Sequence, residues 1–303
     1  MAKLKILNAR WEVYCCPMKE LGRGSSTIIY PGLDLSTGKH VAIKQQMQYW
    51  PPGPEGSTLC HEYRVYQQLG KTGGSPEVYG HFHENCGRSD GRQYRCHLIM
   101  ERLGPSLHKA MSHKKSKPRL ASSLFFSLEE VVSIGTQVVS ALQLLHDNGL
   151  VHRDVQPGNI VYDLAEKRVL LIDYGAARKC RETRNPKDSD LTSDMVGSPV
   201  FTSLNSHSGN ASTLRDDLES LGYVLVYLYH GKLPWHHLGP DAIDQFIASK
   251  SSITMEDSGD KLEPFDEYFQ SVNQLVPDGR PDYAGLQKIL EALVQSIPIS
   301  ELI

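Results

Sequence analysis

No unbroken apolar run of this 303-residue chain is long enough to cross a bilayer. The longest apolar run, Leu221–Leu228, is well short of the roughly 20 residues a spanning helix needs. The opening MAKLKILNAR lacks the apolar core of a secretory signal, so a cytoplasmic or nuclear location, or both, is expected. Six cysteines, at 15, 16, 60, 86, 96 and 180, are scattered without pattern, which suits a reducing compartment better than a disulfide scaffold. Neither sign of charge dominates: the formal net charge is −3, which gives no general pull toward nucleic acid or anionic membrane. Internal repeats, low-complexity tracts and interdomain linkers are lacking as well, and nothing signals oligomerisation, so a monomer is expected. With 40% hydrophobic and 22% charged residues, the chain can bury a large core in one two-lobed domain or two small ones.

Chemistry concentrates in LVHRDVQPGNIVYDLAEKRVLLIDYG, residues 150–175. It reads as a loop carrying Asp154 and Asn159, a short apolar strand, a polar turn at 165–168, and a second apolar strand ending at Asp173. Such a hairpin is expected to bring Asn159 beside Asp173, with Asp154 on the loop feeding in. Three oxygen-bearing side chains held there can bind a hard cation and leave one carboxylate as a base.

Upstream, residues 11–50 alternate like strands (WEVYCC, STIIY, HVAIKQQMQYW) between glycine-bearing turns. LGRGSST lies between the first two, and Gly22 and Gly24 would let a hairpin tip lie close over a polyphosphate. A dinucleotide fingerprint fails here, because Thr27 stands where its third glycine belongs and IIYPG, a strand closed by a proline turn, replaces the helix. A Walker loop at Gly70–Thr72 fails too, since Val65 occupies its first glycine position. Lys44 ends the apolar run VAIK and needs anionic partners there. Phosphates and Glu62, on the helical stretch capped by Ser57 or Thr58, would supply them.

Residues 78–103 read as two strands around a polar hairpin, and the shift at Leu103 and Gly104 as a hinge. His81, His83, Cys86, Cys96 and His97 crowd that hairpin, but their spacing matches no standard zinc pattern, and period-2 placement makes His81 and His83 one strand face. HKKSKPR (113–119) reads as a solvated basic loop rather than a nucleic-acid patch. Ser127–Asn148 is the clearest helix, with Ser127 and Glu130 as a capping box. The stretch from Gly175 to Met195 is polar, with Thr183, Ser189, Thr192 and Ser193 as candidate phosphorylation positions. Residues 214–235 read as a core helix stopped by Gly231, with Asp217 and Glu219 as candidate braces of the catalytic loop; a last amphipathic helix carries Leu286, Ile289, Leu290 and Leu293.

LGPSL (103–107), VHRDVQPGN (151–159), FTSLNSH (201–207), RDDLESLGYVLVYL, GKLPW and PDY together resemble the casein kinase 1 group of protein kinases, which includes the vaccinia-related kinases. FTSLNSH and DYG resemble the vaccinia-related branch, whereas HRD and RDDLESLGY resemble casein kinase 1 proper. The resemblance spans about Trp11 to Leu293. It implies an α+β bilobal kinase fold in a single kinase domain, with a mainly antiparallel N-lobe at 1–103 carrying one helix and a mainly helical C-lobe at 104–303. It implies ATP and Mg2+ as cofactors and protein serine and threonine hydroxyls as acceptors. Asp154 would take the hydroxyl proton, Asn159 and Asp173 would hold magnesium, and Lys44 paired with Glu62 would grip the nucleotide phosphates. Leu21, Gly22, Gly24, Ala42, Met100, Glu101 and Leu103 would complete the nucleotide site, with Met100 as gatekeeper and the hinge backbone near Glu101 and Leu103 pairing with adenine.

Three departures qualify it. Gln156 replaces the lysine usual two residues after the catalytic aspartate, so a reduced rate is expected, with Gln156 still among the catalytic set. Ser26 and Thr27 replace an aromatic and a glycine, which should stiffen the phosphate loop. GSPVF carries Val200 where casein kinase 1 enzymes have an arginine, and Asp241, Asp244, Glu256 and Asp257 replace a basic segment after GKLPW. A preference for acidic or phosphoprimed substrates is therefore not carried over. The rival to an active kinase is a pseudokinase acting as a nucleotide-binding or interaction scaffold; a small-molecule kinase and tyrosine specificity are further alternatives.

Overall fold

The computed structural model describes residues 3–15, 20–24, 26–49, 53–70, 74–86, 93–115, 125–180, 197–254, 262–276 and 279–295. The chain divides into two compact units, Met1–Gly104 with Asp173–Gly175, and Pro105–Ile172 with Ala176–Ile303. The candidate phosphorylation positions at 183–193, the acidic residues 256 and 257, and the tip of the polar hairpin at 87–92 lie outside the described residues.

The first unit is built on strands β1 (Lys3–Leu7), β2 (Trp11–Cys15), β3 (Gly22–Arg23), β4 (Thr27–Asp34), β5 (His40–Tyr49), β6 (Val78–Asn85) and β7 (Gln93–Glu101). They form an antiparallel sheet in the order β1-β2-β4-β5-β7-β6, with β3 paired onto β4. Alternating apolar residues of β5 and β7 meet those of β2, so Trp11, Val13, Val41, Ile43 and Ile99 form one small core with Leu7. Helix α1 (Thr58–Leu69) starts where the Ser57 hydroxyl accepts the Cys60 N–H and ends at Gly70, whose φ of 65° a side chain would strain. One strand was not foreseen and one expectation changes. Strand β1 adds an edge ahead of the expected WEVYCC strand, and Pro31 makes no turn. It lies inside β4, in the interval between the residues paired with β3 (Ile28, Ile29) and those paired with β2 (Gly32–Asp34), where a missing N–H costs no ladder bond on that side. Gly32 follows because a Cβ there would fall 2.5 Å from Ile43 Cδ1 and 2.7 Å from the Glu12 carbonyl.

The second unit is mainly helical: α2 (Leu107–Lys115), α3 (Leu128–Asp147), α4 (Leu204–His207), α5 (Leu214–His230), α6 (Ile243–Thr254), α7 (Asp266–Asn273) and α8 (Tyr283–Gln295), with short strands β8 (Leu150–Val151), β9 (Ile160–Asp163), β10 (Arg168–Leu171) and β11 (Arg178–Lys179). The Ser127/Glu130 capping box is present, with the Ser127 N–H donating to Glu130 and the Glu130 N–H to Ser127. Helix α5 is buried almost all round and ends at left-handed Gly231, the stop read from the sequence. Packing is tight: a Cβ on Gly135 of α3 would lie 2.9 Å from Leu290 of α8 and 3.1 Å from Leu225 of α5. Helix α3, the described helix with the length and hydropathy to cross a bilayer, is committed to this core. His113–Lys115, expected in a loop, instead end α2, and residues 116–119 of that basic run lie outside the described set.

Candidate active site

In the sheet unit, period-2 alternation along β5 puts Lys44 on a buried face. Its Nζ lies 2.8 Å from Glu62 Oε2 on α1 and 2.8 Å from Asp173 Oδ1. Burial alone would lower the lysine's proton affinity, but the two carboxylates outweigh it and hold the ammonium charged. Burial pushes the Glu62 carboxyl up to about 7 against the pull of that ammonium. The Asp173 side chain is 38% exposed, so of the three it is the one that can still reach a ligand. Its backbone is held at φ +67°, a region an aspartate tolerates and functional loops exploit. Tyr174 next to it packs edge-on against Tyr66 of α1 with ring centroids 5.0 Å apart. A Cβ on Gly175 would lie 3.3 Å from Asp173 Oδ1. The second strand of the expected 160–173 hairpin thus stops at Leu171, and Asp173 belongs with the sheet unit.

The glycine stretch folds as a tight hairpin, with the Leu21 N–H donating to Ile29 and the Gly24 N–H to Thr27. A Cβ on Gly24 would sit 2.9 Å from Thr27 Oγ1, so a side chain at that position would have to displace the threonine hydroxyl. The expected stiffening has a physical source: the buried Gln46 amide donates to Ser26 Oγ at 3.2 Å, while its oxygen accepts from Thr58 Oγ1 at 3.1 Å and the Leu59 N–H at 3.4 Å. Ala42 and Met100 face each other across β5 and β7, both buried, and Leu21 and Leu103 are half-buried. The Glu101 N–H donates to the Glu77 carbonyl at 2.8 Å.

In the helical unit, Asp154 sits on the loop between β8 and β9. Gln156 Nε2 donates to its Oδ1 at 2.7 Å and Asn159 Nδ2 to its Oδ2 at 2.7 Å and to its backbone carbonyl at 2.9 Å. The Asp154 carboxylate is therefore oriented by two neutral amides. The loop hangs on Asp217 of α5, which accepts from the N–H groups of His152 (2.7 Å) and Arg153 (2.9 Å) and bonds His146 Nε2 at 2.9 Å. Burial would raise that carboxyl's proton affinity, but the His146 bond and these donors hold it below the usual range. Arg153, at φ +70°, carries the strain of the turn. Glu219, the other expected brace, does not touch this loop; it accepts from the Leu204 N–H at 2.7 Å and Tyr223 Oη at 2.8 Å.

The protein kinase domain family matches residues 16–292. This chain belongs to the protein kinase family. The kinase is 30% identical over 283 residues to a probable casein kinase I homolog of Encephalitozoon cuniculi, covering 90% of this chain and 86% of the relative. It is 28% identical over 290 residues to casein kinase I homolog 2 of Schizosaccharomyces pombe, covering 92% of this chain but 62% of that relative. The sheet unit and the helical unit are thus the N-lobe and C-lobe of the expected α+β bilobal kinase fold, and family membership implies ATP as phosphoryl donor.

Three residues that contact the candidate site or the segments beside it were not singled out from the sequence. Gln46 shares a strand face with Lys44, two residues away, which was the available signal. Gly197 abuts Asp154: a Cβ there would lie 2.8 Å from Asp154 Oδ1, and its φ is +98°. Lys250 shares a helix face with Phe246, four residues earlier, and is wholly buried. In the histidine-rich hairpin Phe82 stacks on His97 and Tyr63 of α1 on His81. No group of three or more histidine, cysteine or acidic side chains able to hold a metal occurs among the described residues.

Proposed function

We propose that this kinase transfers the γ-phosphoryl group of ATP, held with Mg2+, to serine and threonine hydroxyls of proteins. The observation that carries this reading is the buried Lys44 ammonium shared by Glu62 and the partly exposed Asp173. A lysine buried on a strand between two carboxylates is costly to maintain and suits a polyphosphate partner. The donor chemistry fits the cofactor. Asp173 offers a carboxylate, and Asn159 directs its amide nitrogen at Asp154, which leaves its oxygen as the end for a hard cation. The glycine hairpin, which lacks side chains at Gly22 and Gly24, would let a polyphosphate approach its backbone closely, and an adenine contact at Glu101 would fall to its carbonyl because the Glu101 N–H already donates to Glu77.

When bound, the metal–nucleotide supplies the electrophilic phosphorus and neutralises charge on the leaving diphosphate. Asp154 Oδ orients the acceptor hydroxyl and takes its proton as the new O–P bond forms and the bond to the β-phosphate oxygen breaks. Lys44 positions the α- and β-phosphates, with Glu62 fixing its direction. Gln156 keeps Asp154 aimed but brings no positive charge to the transferred group. That neutrality favours one second reading, a weakly active or inactive scaffold that binds nucleotide.

The test is phosphate transfer from Mg-ATP to casein and to the kinase itself, beside Asp154→Asn. Transfer to serine and threonine that falls at least about 1,000-fold in the variant supports the proposal. Absent transfer, with ATP still raising the melting temperature, overturns it in favour of the scaffold; phosphotyrosine as the product would overturn the acceptor assignment.

A further inference from the structure

We propose that Lys250 is a positioning residue for protein substrates, holding the segment Gly197–Ser203 in the shape that presents an acceptor hydroxyl to Asp154. The proposal rests on the phosphotransfer reading above. Gly197 has no space for a Cβ because Asp154 Oδ1 and the Arg153 carbonyl lie 2.8 and 3.0 Å from where it would be. A polypeptide whose hydroxyl reaches Asp154 must therefore run past this segment. The segment's own backbone bonds are few: the Phe201 and Thr202 N–H groups both donate to the Ser198 carbonyl. The carbonyls of Pro199, Val200 and Thr202 are gathered by side chains instead.

Lys250 Nζ, wholly buried on α6, donates to the Pro199 carbonyl at 3.1 Å and to the Thr202 carbonyl. His207 Nε2 lies 3.0 Å from the same nitrogen and 2.9 Å from the Pro199 carbonyl. Trp235 Nε1 donates to the Val200 carbonyl at 2.8 Å. The amine also sits 4.9 Å from the centroid of Tyr223, 5.1 Å from Trp235 and 5.5 Å from Phe246, so aromatic faces complete its surroundings. Burying a lysine is expensive, and an apolar side chain of similar length would fill the same space without that cost. What an apolar replacement cannot do is collect two carbonyls from one loop. On this reading the amine sets backbone geometry beside the base rather than the stability of the core.

Lys250→Met keeps the stem and removes the donors. With Mg-ATP and casein, the variant should raise the KM for casein at least about tenfold while the KM for ATP stays within about twofold. Amides of Phe201 and Thr202 should exchange with deuterium at least about tenfold faster than in the unaltered kinase. Equal changes in both KM values, or no change in either, would overturn the proposal, since a general loss of folding affects both substrates. Should the variant fail to fold, the unaltered kinase decides: Phe201 and Thr202 amides must be among the slowly exchanging ones, and rapid exchange there refutes the pinning. Exchange needs no turnover, so a kinase inactive on casein would sink the phosphotransfer reading while leaving the Lys250 result legible.

Discussion

Restoring a positive charge beside the base should accelerate this kinase. In the structure Gln156 Nε2 lies 2.7 Å from Asp154 Oδ1, so a lysine at 156 would place its ammonium in the space where the transferred phosphoryl group meets Asp154. A unit charge about 4 Å from a phosphoryl oxygen interacts by about 4 kcal/mol at an effective dielectric near 20. Gln156 is only half-buried, so solvent screening reduces this to about 1.5–3 kcal/mol. The same ammonium would make Asp154 a weaker base and give back part of that gain. The expected net effect of Gln156→Lys is an increase in kcat of about 10-fold, with 100-fold as the ceiling set by the screened interaction. Initial rates on casein at saturating Mg-ATP measure it, and the KM for ATP should change by less than about threefold. Gln156→Ala is the complement: it removes one of the two amides aiming Asp154, worth about 1–1.5 kcal/mol, and should lower kcat about 5- to 10-fold. If the lysine variant is no faster while ATP still stabilises it, charge at this position does not limit the rate. If the alanine variant matches the parent, the amide does not orient the base, and the reasoning fails at its first step.

Gln46→Leu breaks the bridge from Ser26 to Thr58 and Leu59, so the KM for ATP should rise about 10-fold for a stability loss of about 1–2 kcal/mol; an unchanged KM would show that the hairpin holds its shape unaided. The pH dependence of stability should carry a Lys250 component. Burial lowers that amine to about 7 from 10.5, with Glu219 pulling the other way and His207 and Tyr223 as its other titratable neighbours. The folded kinase therefore binds fewer protons than the unfolded chain between those two values, and stability should rise with pH across that window. The slope is at most about 1.4 kcal/mol per pH unit, or about 2–4 °C in melting temperature. Lys250→Met should flatten this component, and an identical slope in parent and variant would contradict the depressed value. Burial and Lys250 together push His207 down to about 4, so its own contribution rises with pH between about 4 and 6.5, clear of the lysine window.

The pairing of Lys44 with Glu62 was legible because their chemistry is carried by residue type, and because strand and helix periods place them on definable faces. Lys44 meets Glu62 as the sequence implied, since alternation along β5 fixes which side chains turn inward. The capping box at Ser127 was readable for the same local reason, two residues three apart satisfying each other's backbone. Boundaries and partners set by tertiary structure were not. Pro31 looks like a turn until β2 and β3 are seen to pair with different parts of β4. Glu219 and Asp217 are two apart on one helix, so they diverge by about 200° around its axis and serve different segments; only Asp217 reaches the catalytic loop.

Lys250 was invisible for a deeper reason. Its partners are backbone carbonyls roughly fifty residues upstream, and a carbonyl has no identity in a sequence. Gln46 is similar, since its amide joins a serine hydroxyl on a hairpin to a helix N-terminus that the chain reaches only later. Residues of this kind are neutral, or buried and pushed toward neutrality, and they act on geometry rather than on charge. The two classes fail differently when altered. Removing a group that touches the phosphate or the hydroxyl should lower kcat, whereas removing one that shapes a loop should raise the KM of whichever substrate that loop meets. Gln156 belongs partly to each class: its amide orients Asp154, and its lack of charge withholds help from the transferred group. Position 156 is therefore where orientation and electrostatics can be separated in this kinase, with alanine removing the first and lysine adding the second.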